Sequence, residues 1–211
     1  MDDFEKEYFS RHDKRVFFAL RQSVVGIAGA GGLGSNVAVS LARAGVGTLI
    51  IADFDKVEMS NLNRQQFFID QVGKRKVEAL AENLKRISPF SAYVVHDAKL
   101  TPRNIPRIFA PADLLIEAFD RGEAKQMLIE TWLSRFPGKP IIAASGLAGY
   151  GRNRKLHTRK MGNLYICGDE ESESPKGVSP MAPRVALVAN MQANLAVELL
   201  VGLSRSVKRR K

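Results

Sequence analysis

Short apolar runs alternate with helical periodicity along most of the chain. Ser23-Val24-Val25-Gly26-Ile27-Ala28 reads as a buried strand that ends in glycines, and Val37, Leu41 and Ala44 then recur at helical spacing. Gly45-Val46-Gly47 breaks that helix, and Thr48-Leu49-Ile50-Ile51-Ala52 is a second buried strand closing on Asp53. The same criteria predict helices over 74–87 and 122–135 and strands over 92–95, 113–117 and 140–144. Repeated β-α-β order implies an α/β fold: a Rossmann-like, mainly parallel sheet with helices on both faces. Ligands on such sheets sit at the carboxyl ends of the strands.

Between 149 and 177 the periodicity lapses, which predicts a short irregular or antiparallel excursion near residues 150–180. It contains an acidic loop, Asp169-Glu170-Glu171-Ser172-Glu173-Ser174-Pro175. Order returns in a helix over 183–201, where Val188, Met191, Leu195 and Leu199 share one stripe. The expected organisation is a single domain over 1–203 followed by a disordered basic tail over 204–211.

Composition narrows the class. The 211 residues are 45% hydrophobic and 26% charged, which excludes disordered, collagen-like and coiled-coil chains. No stretch approaches the roughly 18 uninterrupted apolar residues of a membrane span, and the acidic opening Met1-Asp2-Asp3-Phe4-Glu5-Lys6 is unlike a signal peptide. A cytoplasmic protein without a membrane partner is expected. The single cysteine, Cys167, cannot form an internal disulfide or supply the paired thiolates of a structural zinc site. His12, His96 and His157 are scattered without metal-ligand spacing.

The net charge of +10 suggests nucleic acid until its distribution is counted. Arg152, Arg154, Lys155, Arg159 and Lys160 form one acid-free stretch, and Arg205, Lys208, Arg209, Arg210 and Lys211 form another. These ten account for the whole excess, leaving 22 basic residues against 22 acidic ones elsewhere. The body of the protein is balanced, and a nucleic-acid partner is not expected.

The first strand runs directly into Gly29-Ala30-Gly31-Gly32-Leu33-Gly34-Ser35, which opens the first helix. Glycines there let backbone N–H groups and the positive end of a helix reach phosphate oxygens. Asp53, 19 residues after Gly34 and at the end of the second strand, is placed to accept hydrogen bonds from ribose hydroxyls. The loop alone fits a dinucleotide as well as a mononucleotide. Beyond it lies a dense polar segment, in which Asn61 and Arg64 can donate to phosphate oxygens, and Lys76 adds a charge at the start of the next helix. Asp120, after the fourth strand, is placed either to hold magnesium, which prefers carboxylate and phosphate oxygens, or to cap the helix that follows. Cations and one carboxylate converging on strand ends suit magnesium with a triphosphate.

With these motifs in order, the chain resembles the adenylating family that includes the thiamine-biosynthesis protein ThiF, the molybdopterin-synthase adenylyltransferase and the ubiquitin-activating enzymes. The matching elements are the glycine loop, Asp53 with Asp55, Asn61-Leu62-Asn63-Arg64-Gln65, Lys76-Val77-Glu78, Phe119-Asp120-Arg121 and, more loosely, the last helix. The likeness is to a short ThiF-type branch. It implies ATP and Mg2+ as cofactors, with Gly29, Gly31, Gly32, Gly34, Asp53, Asp55, Asn61, Arg64, Gln65 and Lys76 around the nucleotide and Asp120 on the metal. Arg64, Lys76, Asp120 and Arg11 are the implied catalytic residues, Arg11 reaching the ATP of the other subunit of a homodimer. The implied reaction is adenylation of the C-terminal glycine carboxylate of a ubiquitin-like sulfur-carrier protein ending in Gly-Gly, in thiamine biosynthesis. Many relatives carry two Cys-x-x-Cys pairs for zinc; this chain has none, so no zinc is expected. Cys167 is the one candidate for an acyl- or sulfur-carrying thiol, against the plainer reading of a semi-buried side chain.

Three other readings stand beside this one: activation of a non-protein carboxylate such as one on modified tRNA, an NAD-dependent oxidoreductase, and a silent nucleotide-binding module. The stretch 152–160 is expected to dock an acidic carrier protein, and the tail to be dispensable.

Overall fold

The computed structural model describes residues 3–172 and 179–208, without the side chains of 205–208. The elements are α1 (Asp3–Tyr8), α2 (Lys14–Arg21), β1 (Val24–Ala28), α3 (Gly32–Ala44), β2 (Thr48–Asp53), α4 (Lys76–Ile87), β3 (Ala92–Asp97), α5 (Ile105–Phe109), β4 (Leu114–Glu117), α6 (Gly122–Arg135), β5 (Ile141–Ser145), β6 (His157–Met161), β7 (Leu164–Gly168) and α7 (Ala182–Lys208). The strands form one sheet of seven in the order β3-β2-β1-β4-β5-β7-β6. All neighbours pair in parallel except β6 with β7. The Rossmann-like α/β fold expected from the sequence is therefore observed.

Both faces of the sheet are covered, and the two-residue period of the strands sorts side chains between them. Val25, Ile27, Leu49, Ile51, Leu114 and Ile116 join one core together with Val37, Leu41, Leu80 and Val188 of α3, α4 and α7. The alternate positions Ala28, Ile50, Ala52 and Leu115 join a second core with Phe109 of α5 and with Leu128 and Trp132 of α6. Connections from β1 lead toward β2, while its other edge is taken by β4. This reversal of strand order opens a crevice at the carboxyl ends of β1 and β4, where α/β sheets bind ligands.

The region after β5 takes the antiparallel form of the expected excursion, and is more ordered and better integrated than an irregular one. Residues 157–168 form a β6-β7 hairpin, and β7 lies parallel to β5 within the main sheet. No alternation announced it, because every residue of the edge strand β6 is exposed. Short α1, α2 and α5 were likewise not expected. The acidic loop is described only as far as Ser172; residues 173–178 lie outside the described residues. The last helix runs through Lys208, past its expected end near 201 and into the segment expected as a tail, and 209–211 lie outside the described residues.

By length and composition, the Ala182–Ser204 part of α7 could cross a membrane, with a mean hydropathy of 1.5, which a search for uninterrupted apolar runs passes over. Here it packs on α3 and on the sheet. Gln192 fixes it there, donating through Nε2 to the carbonyls of Glu117 (2.9 Å) and Ile142 (3.1 Å).

Trp132 is fully buried and stacks near Phe136, with its indole N–H shared by the carbonyls of Lys139 and Pro140 at 3.2 Å. Trp132→Ala is expected to cost about 3–5 kcal/mol, read as a lower urea midpoint in equilibrium unfolding. An unchanged midpoint would show that α6 is not held to the sheet by this side chain.

Candidate nucleotide site

The site is built around the turn from β1 into α3. Gly29 adopts a left-handed φ of 105°, and a Cβ there would lie 2.8 Å from the Ala118 carbonyl oxygen. At Gly34 a Cβ would fall 1.8 Å from the Gly29 carbonyl oxygen, so only glycine lets the helix start this close to the strand. Gly31 occupies the N-cap of α3 and offers no side chain, so no side chain caps the first helical N–H groups. A helix N-terminus of this kind favours negative charge.

Asp53 secures the turn from β2. Its Oδ2 accepts from the Ala30 N–H at 2.6 Å and its Oδ1 from the Asp55 N–H at 2.8 Å. The half-buried carboxylate thus faces the glycine loop at the strand end, as expected of a ribose-binding acid. Asp55, next along, pairs through Oδ2 with Lys76 Nζ at 3.0 Å. Lys76 is the first residue of α4 and its side chain is 8% exposed, so it is a held cation rather than a solvated one.

The loop 59–66 is clamped against α3. Asn36 donates to the carbonyls of Gly32 (2.6 Å) and Arg64 (3.0 Å) and accepts from Gln66 Nε2 at 2.7 Å. Ser35 Oγ donates to the Gly31 carbonyl and accepts from the Gln66 N–H. The Arg64 stem and Gln65 Nε2 consequently lie 3.8 Å from where Cβ atoms at Gly32 and Gly31 would be. Gln65 is buried, and its Oε1 has no hydrogen-bond partner among the described residues. Arg64 holds the Ser60 carbonyl and Asn63 Oδ1. Asn61 is largely occupied within its own turn, where Oδ1 accepts from the Glu58 N–H, leaving Nδ2 only a 3.5 Å contact with Ser60 Oγ. Asn63, Arg64, Gln65 and Gln66 line a cleft of about 340 Å³, closed on its far side by Pro183 and Ala186 of α7.

Asp120 stands on the turn after β4, beside the glycine loop, because Ala118 donates its N–H to the Ala28 carbonyl at 3.0 Å and packs against Gly29. It is exposed and makes no hydrogen bond or ion pair among the described residues. It does not cap α6: Arg121 is at the N-cap and no side chain caps that helix. Arg11 lies away from this group, exposed in the turn between α1 and α2, also without a partner among the described residues. The structure therefore sets Asp53, Arg64 and Gln65 against the glycine loop, ties Asp55 and Lys76 to it through Asp53, keeps Asn61 in the turn before Arg64, and places Asp120 two residues past the Ala118 that packs on Gly29. Asn36, Ser35 and Gln66, which hold the loop in place, were not picked out; their signal was the polar pair Ser35-Asn36 on the buried side of a helix that should be apolar.

Cys167 is fully buried in β7 beneath Thr158, and burial pushes its thiol above the ordinary value. A protonated, inaccessible thiol cannot take an acyl group, so the structure favours the plain buried side chain. Of the basic stretch, Lys155 pairs with Glu171 and Arg159 with Glu170, acids that follow β7. Arg152 and Arg154 are exposed and unpaired among the described residues. His157 bonds the Lys155 carbonyl through Nδ1 at 2.8 Å and Glu170 through Nε2 at 3.1 Å, and these raise its pKa above the ordinary 6.5.

A mainly parallel α/β sheet, a glycine turn onto an uncapped helix, a strand-end Asp, Arg64 on a polar loop and Lys76 at the start of α4 together have the form of a nucleotide site on a Rossmann-like fold. The ThiF family pattern matches residues 9–210, and the chain belongs to the ThiF family. Curated relatives include the adenylyltransferase and sulfurtransferase uba4 of Emericella nidulans, 34% identical over 90% of this chain, and MOCS3 of Caenorhabditis briggsae, also named an adenylyltransferase and sulfurtransferase, 30% identical over 89%. The chain spans 42% and 48% of those two proteins. Among solved structures, the E. coli tRNA N6-threonylcarbamoyladenosine dehydratase TcdA in complex with ATP superposes with a TM-score of 0.87 at 20% identity, over 97% of this chain and 98% of that one. E. coli MccB with ATP superposes at 0.68 and 22% identity, over 89% of this chain and 58% of that one. These two share the fold.

Gly34→Ala is expected to abolish ATP binding in isothermal titration while leaving most helical circular dichroism, since the added methyl would have to displace the Gly29 carbonyl. His157 should titrate above 6.5 by NMR and fall back when Glu170 becomes Gln. Because its folded pKa is raised, any stability it contributes is full below 6.5 and lost as pH rises through the folded value. A His157 titration indifferent to Glu170→Gln would contradict the contact.

Proposed function

We propose that this chain adenylates, with ATP and magnesium, the C-terminal glycine carboxylate of a ubiquitin-like sulfur-carrier protein ending in Gly-Gly, in the cytoplasm and in thiamine biosynthesis. The observation that carries the reading is Asp53 and Arg64 set against the uncapped start of α3, with Lys76 held on Asp55 next to Asp53 and Asp120 two residues beyond the Ala118 that packs on Gly29. Family membership and the names of the curated relatives support it.

The carrier carboxylate attacks the α-phosphorus, the bond to the bridging oxygen breaks, and pyrophosphate leaves with its electron pair. No enzyme nucleophile is required, only the positioning of two anions and relief of their repulsion. Asp53 binds the ribose, and the base lies toward the β3 end, where a cleft of about 420 Å³ is lined by Val95, Ala98 and Ile108 together with the polar His96, Asp97, Asn104 and Arg107. The N–H groups of α3 with Arg64 and Lys76 receive the phosphates. Lys76 exchanges its Asp55 partner for phosphate oxygen, and Gln65 donates through Nε2, the atom nearest Gly31, to the same group.

Among the described residues no cluster of three or more His, Cys, Asp or Glu could hold a metal on its own. A single exposed carboxylate fits magnesium, which commonly takes one or two carboxylates plus substrate phosphates and water. Asp120 would hold it, and the ion would supply charge neutralisation at the phosphates. Arg11, without a partner among the described residues of its own chain, would reach the nucleotide of a second copy in a homodimer. Arg152 and Arg154 would meet an acidic face of the carrier.

Carrier-dependent exchange of pyrophosphate into ATP is expected, falling at least about a hundredfold in Asp120→Ala and in Arg64→Ala, the range for losing one transition-state charge partner. Cys167→Ala should keep full activity. Carrier-independent exchange, or none with any Gly-Gly carrier, would overturn the reading. Tight NADH binding in place of magnesium-ATP would point instead to an oxidoreductase. The exposed Arg152 and Arg154 also favour a second reading, activation of a carboxylate on modified tRNA. Salt-dependent tRNA binding lost on neutralising both arginines would select it, whereas a raised carrier KM on reversing their charge would select the first.

A further inference from the structure

Beneath the turn that carries Asp120 lies the ion pair of Glu117 and Lys125. Glu117, the last residue of β4, is fully buried. Its Oε1 accepts from the Phe119 N–H at 2.6 Å and from Lys125 Nζ at 3.1 Å. Its Oε2 accepts from Lys125 Nζ at 2.9 Å and from the Ala144 N–H at 3.4 Å. Lys125, in the first turn of α6, also donates to the Ala144 carbonyl at 3.0 Å, and Gln192 of α7 holds the Glu117 carbonyl. The turn after β4, α6 and β5 thus meet on one carboxylate, and α7 holds the backbone carbonyl of the same residue.

Taking two charges out of water is costly, and a well-packed apolar pair of the same volume commonly holds a core together as well or better. Burial pushes the Glu117 carboxyl up, against the charge and hydrogen bonds of Lys125 and the amides of Phe119 and Ala144. What an apolar pair could not do is grip the Phe119 amide, which is the residue immediately before Asp120. We infer that Glu117 and Lys125 are positioning residues, fixing the turn so that Asp120 is presented to metal-bound phosphates. This rests on the adenylation reading, and the pair acts through the Phe119 backbone rather than on the nucleotide. Outer-shell partners of metal ligands work in this way.

The test uses the full chain with Mn2+ as probe, its binding in the presence of ATP read by electron paramagnetic resonance beside thermal melting and pyrophosphate exchange. Glu117→Gln keeps the volume and an acceptor oxygen but removes the charge. It is expected to weaken Mn2+ binding about tenfold, as loss of an outer-shell partner does, with a parallel drop in kcat and an unchanged carrier KM. Lys125→Arg, which keeps the charge, should stay near the parent. Lys125→Gln alters the partner whose side chain is 23% exposed and should reproduce the loss if Glu117→Gln does not fold. Unchanged Mn2+ binding in a folded Glu117→Gln or Lys125→Gln, with Asp120→Asn abolishing it, overturns the inference alone. Unchanged binding in Asp120→Asn overturns the adenylation reading beneath it.

Discussion

Everything at the site depends on how closely α3 can start against the end of β1. The contact is backbone on backbone: the position where a Gly34 Cβ would stand is 1.8 Å from the Gly29 carbonyl oxygen. Given that approach, Asp53 can reach the Ala30 N–H at 2.6 Å and tie β2 to the loop, and Ala118 can pack on Gly29 and bring β4 alongside. A charge-assisted bond of this sort contributes about 1.5–3 kcal/mol, enough to keep the loop in one conformation. The cost of pre-forming an anion site is thereby met during folding rather than at binding.

The second layer of the design is polar and holds the cations in readiness. Asn36 and Ser35 clamp the 59–66 loop from a helix face that would otherwise be apolar, and Asp55 keeps Lys76 in place at 3.0 Å. Just past β7, Asp169 pairs at 2.6 Å with Arg184 at the start of α7, which also holds the Gly151 carbonyl, both side chains being almost wholly buried. Burial raises the Asp169 carboxyl, but hydrogen bonds from Ser172 and Glu171 and the charge of Arg184 outweigh it and leave its pKa below the ordinary value. That network joins the hairpin β6-β7 to α7 and turns what reads as an irregular stretch into part of the scaffold.

Legibility followed burial. Strands β1, β2, β4 and β5 are buried on both faces and announce themselves as apolar runs, and α6 was placed at its observed bounds. The edge strand β6 is exposed at every position, so nothing in its pattern of residues distinguishes it from a loop. At the site, Gly29, Asp53, Lys76 and Asp120 were readable because each sits at a strand end or helix start with a chemical reason to be there. Glu117, Lys125 and Asn36 were not, because their roles come from partners distant in sequence, such as Ala144 for Lys125 and Arg64 for Asn36. The basic stretch shows the same effect for charge: linear counting found no acid within it, whereas the fold sets Glu170 and Glu171 against Arg159 and Lys155.

The central claim is that this glycine turn and its cations activate a carboxylate as an acyl adenylate. Intact-protein mass spectrometry of a Gly-Gly-ending carrier, incubated with the chain and magnesium-ATP, reads that product itself. The account predicts an adenylyl adduct on the carrier that is lost when ATP is omitted and when Asp120 becomes Ala. A carrier that stays unmodified while ATP is bound, or an adduct that persists in Asp120→Ala, would contradict it.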